Sequence, residues 1–222
     1  LLTEDAISAD SRLVLTNTLY FKGLWVSPFP DKPATLQWKT GDETKPVPSM
    51  SQTTSVSYKE NDLFQAVELP YQDSRLAMVI LLPKPEISWQ QFCSTLRTSG
   101  FTKALTGFEP KRAVITLPKF SISTRLSLEE ILSPTMPLAF SDEADFSPMV
   151  DGESNLKISA VIHQAFIDVD NIGTEAGAAT AVSIVLKSAR PAVVFKADRP
   201  FVFALLDRDS RAIFFLGHLI QP

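Results

Sequence analysis

Residues 173–188 read Gly-Thr-Glu-Ala-Gly-Ala-Ala-Thr-Ala-Val-Ser-Ile-Val-Leu-Lys-Ser. At the two-residue period of a β-strand they separate into two unequal faces. One face carries Thr174, Ala176, Ala178, Thr180, Val182, Ile184 and Leu186 and bears no charge. The other carries Glu175, Gly177, Ala179, Ala181, Ser183, Val185 and Lys187 and is more polar. Ala and Gly are weak strand formers that bury little surface, so the stretch fits inside a sheet without being compelled to stay there. Small uncharged side chains are what a sheet needs if it is to open and admit a further strand without a clash. A short Ala-rich helix followed by a strand satisfies the same composition, and the residues by themselves leave both readings open.

The flanking sequence is rich in strand patterns. Lys157–Asp168 on the N-terminal side is apolar and β-branched, and Val193–Phe195, Phe201–Leu206 and Ala212–Leu219 follow on the other side, the last two joined around Asp207-Arg208-Asp209-Ser210. Leu13–Lys22 is apolar on both faces, which predicts a strand inside a covered sheet. Pro28–Pro48 holds five prolines and predicts loops and at most edge strands. Ser55–Lys59 predicts one short strand, and Phe64–Pro70 with Leu76–Pro83 predicts a hairpin closed around Gln72-Asp73-Ser74. Ala113–Phe120 reads as a strand broken by Pro118. Two short helices carry capping-box signatures, Ser88–Arg97 (Ser88, Gln91) and Ser127–Leu132 (Ser127, Glu130), the second stopped by Pro134. The sum is seven to ten strands with two or three short helices, an α+β chain of large mixed sheets.

Composition narrows the function. The 222 residues are 45% hydrophobic and 21% charged, ordinary proportions for a folded domain, with a net charge of -4. No basic surplus or polybasic patch marks a nucleic-acid or membrane-surface binder, and no apolar run approaches the length of a membrane-spanning helix. A single cysteine, Cys93, cannot form an internal disulfide, and one thiol with two histidines leaves little for a structural zinc site, so no metal and no cofactor is expected. There is no phosphate-cradling loop and no Gly-x-Ser-x-Gly elbow. His163 and His218 both sit in apolar strand patterns and read as core histidines rather than bases. The chain is not expected to be an enzyme.

Several stretches, taken together, resemble one family. Phe195-Lys196-Ala197-Asp198-Arg199-Pro200-Phe201-Val202-Phe203 and the ending Phe214-Phe215-Leu216-Gly217-His218-Leu219-Ile220-Gln221-Pro222 are similar to the C-terminal signature of the serpins, the serine protease inhibitors with a metastable loop. Leu15-Thr16-Asn17-Thr18-Leu19-Tyr20-Phe21-Lys22-Gly23-Leu24-Trp25 is similar to the third strand of that family's main sheet. Leu117-Pro118-Lys119-Phe120 and Phe140-Ser141-Asp142-Glu143-Ala144-Asp145-Phe146-Ser147 also match, and all fall in family order.

The resemblance implies the roles. Residues 1–222 would be the C-terminal portion, roughly three-fifths, of a single serpin domain, with the N-terminal helical part absent from this chain. Residues 173–191 would be the exposed reactive-centre loop. Gly173, Thr174, Glu175, Ala176, Gly177, Ala178, Ala179 and Thr180 resemble its hinge, and the small residues on the face beginning at Thr174 favour an active inhibitor. Counting along the loop as in the family sets the bait bond at Lys187–Ser188, with a trypsin-like serine protease as the partner; Arg190 competes, but Pro191 follows it. Asn17 and His163 match a pair that ties neighbouring strands of the main sheet, and Trp25 matches the Trp where insertion begins. Suicide-substrate trapping, in which the cut loop inserts into the sheet, is the family's established behaviour rather than something these residues show. The alternative is a non-inhibitory carrier or chaperone of the same fold. Asn171 departs from the family, which usually has Glu there. A monomer is expected. The lack of an Asn-x-Ser/Thr sequon suits a cytosolic, bacterial or unglycosylated secreted protein, and an extracellular setting is the expectation carried forward.

Overall fold

A computed structural model describes residues 11, 13–72, 75–149, 151, 156–174 and 192–222. They fall into two compact units, the first comprising the chain up to Phe21 with Ser121–Ile167, the second Lys22–Phe120 with Asp168–Pro222.

In the first unit β1 (Leu13–Tyr20) runs parallel to β9 (Ile158–Val169), in a register that sets Asn17 opposite His163; β8 (Phe120–Ser127) also pairs β9. The apolar pattern of β1 predicts a covered strand, yet Leu15 is 42% and Tyr20 53% exposed. Among the described residues β9 is the one strand that pairs with β1, and periodicity reports what a strand could bury, not whether a partner is there. The second capping box is also corrected. The helix α3 is one turn, Glu129–Leu132, with Leu128 at its N-cap and no side-chain cap. Ser127 closes β8 instead, and the Leu128 amide donates to the Val161 carbonyl at 2.8 Å, which keeps the chain tied to β9 through the residue before the helix.

The second unit is built on one eight-stranded sheet in the order β11-β7-β4-β5-β6-β12-β13, with β3 also on β4. These are β3 (Ala34–Thr40), β4 (Glu43–Glu60), β5 (Phe64–Pro70), β6 (Leu76–Pro83), β7 (Glu109–Pro118), β11 (Val193–Lys196), β12 (Phe201–Asp207) and β13 (Ile213–Leu219). β6 lies between β5 and β12 and is buried on both faces, which is why Leu76–Pro83 is continuously apolar rather than alternating. The helix α1 (Trp89–Ser99) is capped as its sequence predicts: the Ser88 hydroxyl accepts the Gln91 amide at 3.2 Å. Its Phe92 and Leu96, one turn apart, pack with Phe64, Leu81, Leu105 and Ala204 into one core cluster. The four-residue α2 (Phe101–Ala104) follows.

The proline-rich segment forms more strand than its composition predicts. β4 is 18 residues long and absorbs the short strand expected at Ser55–Lys59. Pro46 and Pro48 lie where β4 has β3 as its ladder partner, before it pairs β7 from Ser49 onward, so neither proline interrupts a doubly paired strand.

Three carboxylates are buried in this unit, and one of them, Asp198, is paired with Arg199 at 2.7 Å. Glu68, 3% exposed, accepts from Arg208 Nε at 2.9 Å and Arg211 Nη1 at 2.7 Å. Asp207, 2% exposed, accepts from the Ser210 amide at 2.8 Å, from the Asp209 amide at 3.0 Å and from Arg75. The Ser210 amide, then the Arg75 guanidinium, draw the Asp207 carboxyl down to about 2. A carboxyl depressed in the folded state stabilises above its unfolded value, about 4, and the contribution fades as pH falls towards the folded value. The urea midpoint of the protein should therefore drop between about pH 4 and pH 2, and Asp207→Asn should flatten that part of the profile while lowering the midpoint at neutral pH.

Candidate functional site

The first two residues of the quoted stretch, Gly173–Thr174, form the short strand β10. It runs antiparallel to β2 (Gly23–Leu24), with Gly173 opposite Leu24 and Thr174 opposite Gly23, and Thr174 also pairs with Val169 at the end of β9. A tight turn delivers the chain to this position. The Asp170 carboxylate accepts the amides of Ile172 at 2.8 Å and Gly173 at 3.0 Å, and the Asp170 amide donates to the Gly173 carbonyl at 3.0 Å. The turn places Gly173 against the facing strand so closely that a Cβ would stand 2.1 Å from the Gly23 carbonyl oxygen. No other residue type fits without moving one strand.

Trp25 holds this turn from outside. It is 1% exposed, its indole donates to the Asp170 carbonyl at 3.0 Å, and its amide donates to the Ile172 carbonyl at 2.9 Å. Its ring stacks on Tyr71, with centroids 4.5 Å apart and planes 17° from parallel. Tyr71 carries the contact on to β10: its hydroxyl and that of Thr174, which is fully buried, lie 2.7 Å apart. Burial holds the Tyr71 phenol protonated, well above its usual range. On the other side of the turn Asn171, 7% exposed, accepts from the Lys119 ammonium at 2.8 Å through its amide oxygen.

Asn17 and His163, which the sequence resemblance pairs, are brought together. The Asn17 amide oxygen accepts from His163 Nδ1 at 2.9 Å across the β1–β9 register, Asn17 being exposed and His163 half-buried. Gly173, Thr174 and Trp25 converge as well, in the second unit. Glu175, Ala176, Gly177, Ala178, Ala179, Thr180, Lys187 and Ser188 lie outside the described residues. Sequence reasoning passed over Tyr71 and Asp170. Tyr71 follows the hairpin strand at Pro70, 103 residues from Thr174, and no local pattern links the two. Asp170, three residues before a glycine, carried a turn signal that could have been read.

The chain spans residues that a single family model covers from 1 to 222, the model of the serpins, described as serine protease inhibitors. This chain belongs to the serpin family. An uncharacterised serpin-like protein of Thermococcus kodakarensis is 37% identical over 97% of this chain and 51% of its own length. Intracellular coagulation inhibitor 2 of Tachypleus tridentatus is 33% identical over 97% of this chain and 54% of its own length. Among solved structures, that of Serpin48 of the insect Tenebrio molitor, a highly specific serpin, superposes with a TM-score of 0.84 at 26% identity, over 100% of this chain and 59% of that one. This serpin chain therefore spans about half to three-fifths of the length of these relatives. Its mixed sheets and few short helices are those of the serpin fold.

The Tyr71–Thr174 contact can be isolated. Tyr71→Phe keeps the stacked ring and leaves the buried Thr174 hydroxyl without that partner, which should cost about 1–2 kcal/mol in urea unfolding. Amide exchange at Thr174 should rise more than at the core strand β6.

Proposed function

We propose that the protein inhibits a serine protease of trypsin-like specificity by suicide-substrate trapping, with Lys187–Ser188 as the bait bond, and that residues 1–222 are the C-terminal portion of one monomeric serpin domain. The observation that carries the reading is the anchored start of the hinge. Thr174 is already paired and buried as a strand residue, and the next positions on its face, Ala176, Ala178 and Thr180, are small and uncharged. A strand that has begun in the sheet and continues with such side chains can be added residue by residue.

In this reading the target's serine attacks the Lys187 carbonyl, the bond to Ser188 breaks, and the Ser188 amine leaves, giving an acyl ester between Lys187 and the protease. Lys187 suits a specificity pocket that holds an acid. The cut loop then zips in from Thr174. From there to Lys187 is 14 residues, roughly 46 Å at about 3.3 Å per residue, a displacement large enough to pull the tethered active site out of shape before water frees it. Insertion requires β1 and β9 to part, and the Asn17–His163 hydrogen bond is one of the ties that resists it. Asn171 tunes the first step. Lys119 holds it by a hydrogen bond to a neutral amide, a weaker grip than the ion pair a carboxylate would form there.

Incubation of the intact protein with trypsin should give a band that survives denaturing electrophoresis at the mass of trypsin plus the protein up to Lys187, together with release of the peptide beginning at Ser188. Lys187→Ala should lower the yield of that complex with trypsin at least about tenfold, since discrimination against a missing charged anchor is of that order or more. Ala178→Arg, which charges the inserting face, should leave cleavage intact and abolish the complex. Cleavage after Lys187 without any complex in the unmodified protein would overturn the inhibitory reading in favour of a carrier.

A further inference from the structure

A cavity of about 220 Å³ opens in the second unit, bounded by the end of β4, the start of β5 and the helices α1 and α2. Its floor is apolar, with Phe64, Phe92, Leu96 and Ala104 all buried there. Among the described residues its lining holds two lysines, Lys59 and Lys103, and no carboxylate.

The contacts of the Lys59 ammonium place it at this wall. It donates to the carbonyls of Lys103 and Thr106, each at 2.8 Å, and lies 5.9 Å from the centre of the Phe64 ring. Lys103 and Phe64 both line the cavity, so the ammonium sits where the aromatic floor meets the end of α2. Two of its three N–H groups are thereby used, and both acceptors are neutral. The adjoining acid, Glu60, is held by Lys84 and by the Tyr58 hydroxyl, and Asp62 is exposed outside the lining. Burial pulls the Lys59 ammonium below its usual value. A partly desolvated cation whose hydrogen-bond acceptors are all neutral is short of a counter-ion. On the α1 wall the Thr95 hydroxyl donates to the Gln91 carbonyl at 2.9 Å and the Ser99 hydroxyl to the Thr95 carbonyl at 2.7 Å, so neither has a proton to offer a ligand. The third N–H of Lys59 is left for an anion, and the exposed Lys103 adds positive charge beside it.

We propose that this cavity binds a single-ring aryl carboxylate, its carboxylate on Lys59 and its ring on Phe64 and Leu96. The size suits one ring, since an apolar cavity of about 150 Å³ is enough for benzene. A carboxylate supplies the negative charge that the two lysines lack, and the proposal does not depend on protease inhibition.

Titration of the intact protein with benzoate, with benzamide as the neutral isostere, followed by ligand-observed NMR, tests it, and intermolecular NOEs locate the ligand. Benzoate should bind saturably and its ring protons should show NOEs to the Leu96 methyls. Benzamide should bind at least about tenfold more weakly, and Lys59→Met should weaken benzoate by a similar factor, the loss expected when a hydrogen bond to a charged group is removed. Lys59 also holds two carbonyls at the end of α2, so a second variant keeps that contact. Residue 99 is exposed at the cavity, and Ser99→Phe should fill the mouth and abolish benzoate binding while moving the thermal midpoint by no more than about 2 °C. No saturable binding up to about 10 mM benzoate, equal binding of benzamide, or NOEs confined to residues outside this lining would overturn the site. Full benzoate affinity in Ser99→Phe, or in a folded Lys59→Met, would overturn it equally.

Discussion

A Cβ at residue 173 would stand 2.1 Å from the carbonyl oxygen of Gly23 and 2.8 Å from the Leu24 Cα. Much of the geometry around β10 depends on that closeness. Because Gly173 can press against β2, the turn at Asp170 closes, and the Asp170 carbonyl meets the Trp25 indole. Because the turn closes, Thr174 lands where Val169, Gly23 and the Tyr71 hydroxyl all reach it. The start of β10 is thus fixed by the absence of a side chain at Gly173.

The scaffold behind that point is held by a different kind of constraint. β6 is buried on both faces, so the ends of its neighbours must bring polar groups to satisfy whatever charge the sheet encloses. Glu68 on β5 and Asp207 at the end of β12 are each enclosed, Glu68 met by Arg208 and Arg211 and Asp207 by Arg75 and the turn amides of Asp209 and Ser210. Breaking either set would leave an unpaired charge in the interior, a far larger penalty than the pair's net contribution. The turn joining β12 to β13 is thereby locked, and with it the C-terminal strand. In this serpin the described scaffold is one of apolar strands and paired carboxylates, and the sequence that follows Thr174 is rich in small residues.

Much of the scaffold was legible in the sequence, and the reasons differ by element. The α1 helix is announced by a local cap and by Phe92 and Leu96 one turn apart, and it forms where both predict. The β5–β6 hairpin is announced by two strand patterns and a polar turn, all within twenty residues. Ser127 misled because the same serine that can cap a helix can also end a strand, and its neighbour's hydrogen bond to β9 decided for the strand. β1 misled because its apolar faces describe a capacity for burial, whereas pairing with β9 satisfies its backbone on one edge and leaves Leu15 and Tyr20 exposed. Around β10, Gly173, Thr174 and Trp25 were found through family motifs and not through any local rule, and Tyr71 was not found at all.

What the sequence by itself determined was therefore everything that depends on neighbours a few residues apart: strand and helix periods, caps, turns, the uncharged small-residue face from Thr174 onward, and the ordered set of motifs that marks a serpin. Tertiary structure alone decided that Asn17 meets His163 across 146 residues, that Trp25 reaches Asp170 across 145, and that Tyr71 meets Thr174 across 103. Such contacts are fixed by sheet order and register, and many strand orders satisfy the same local periodicities. Which of them the chain adopts follows from the whole core closing at once.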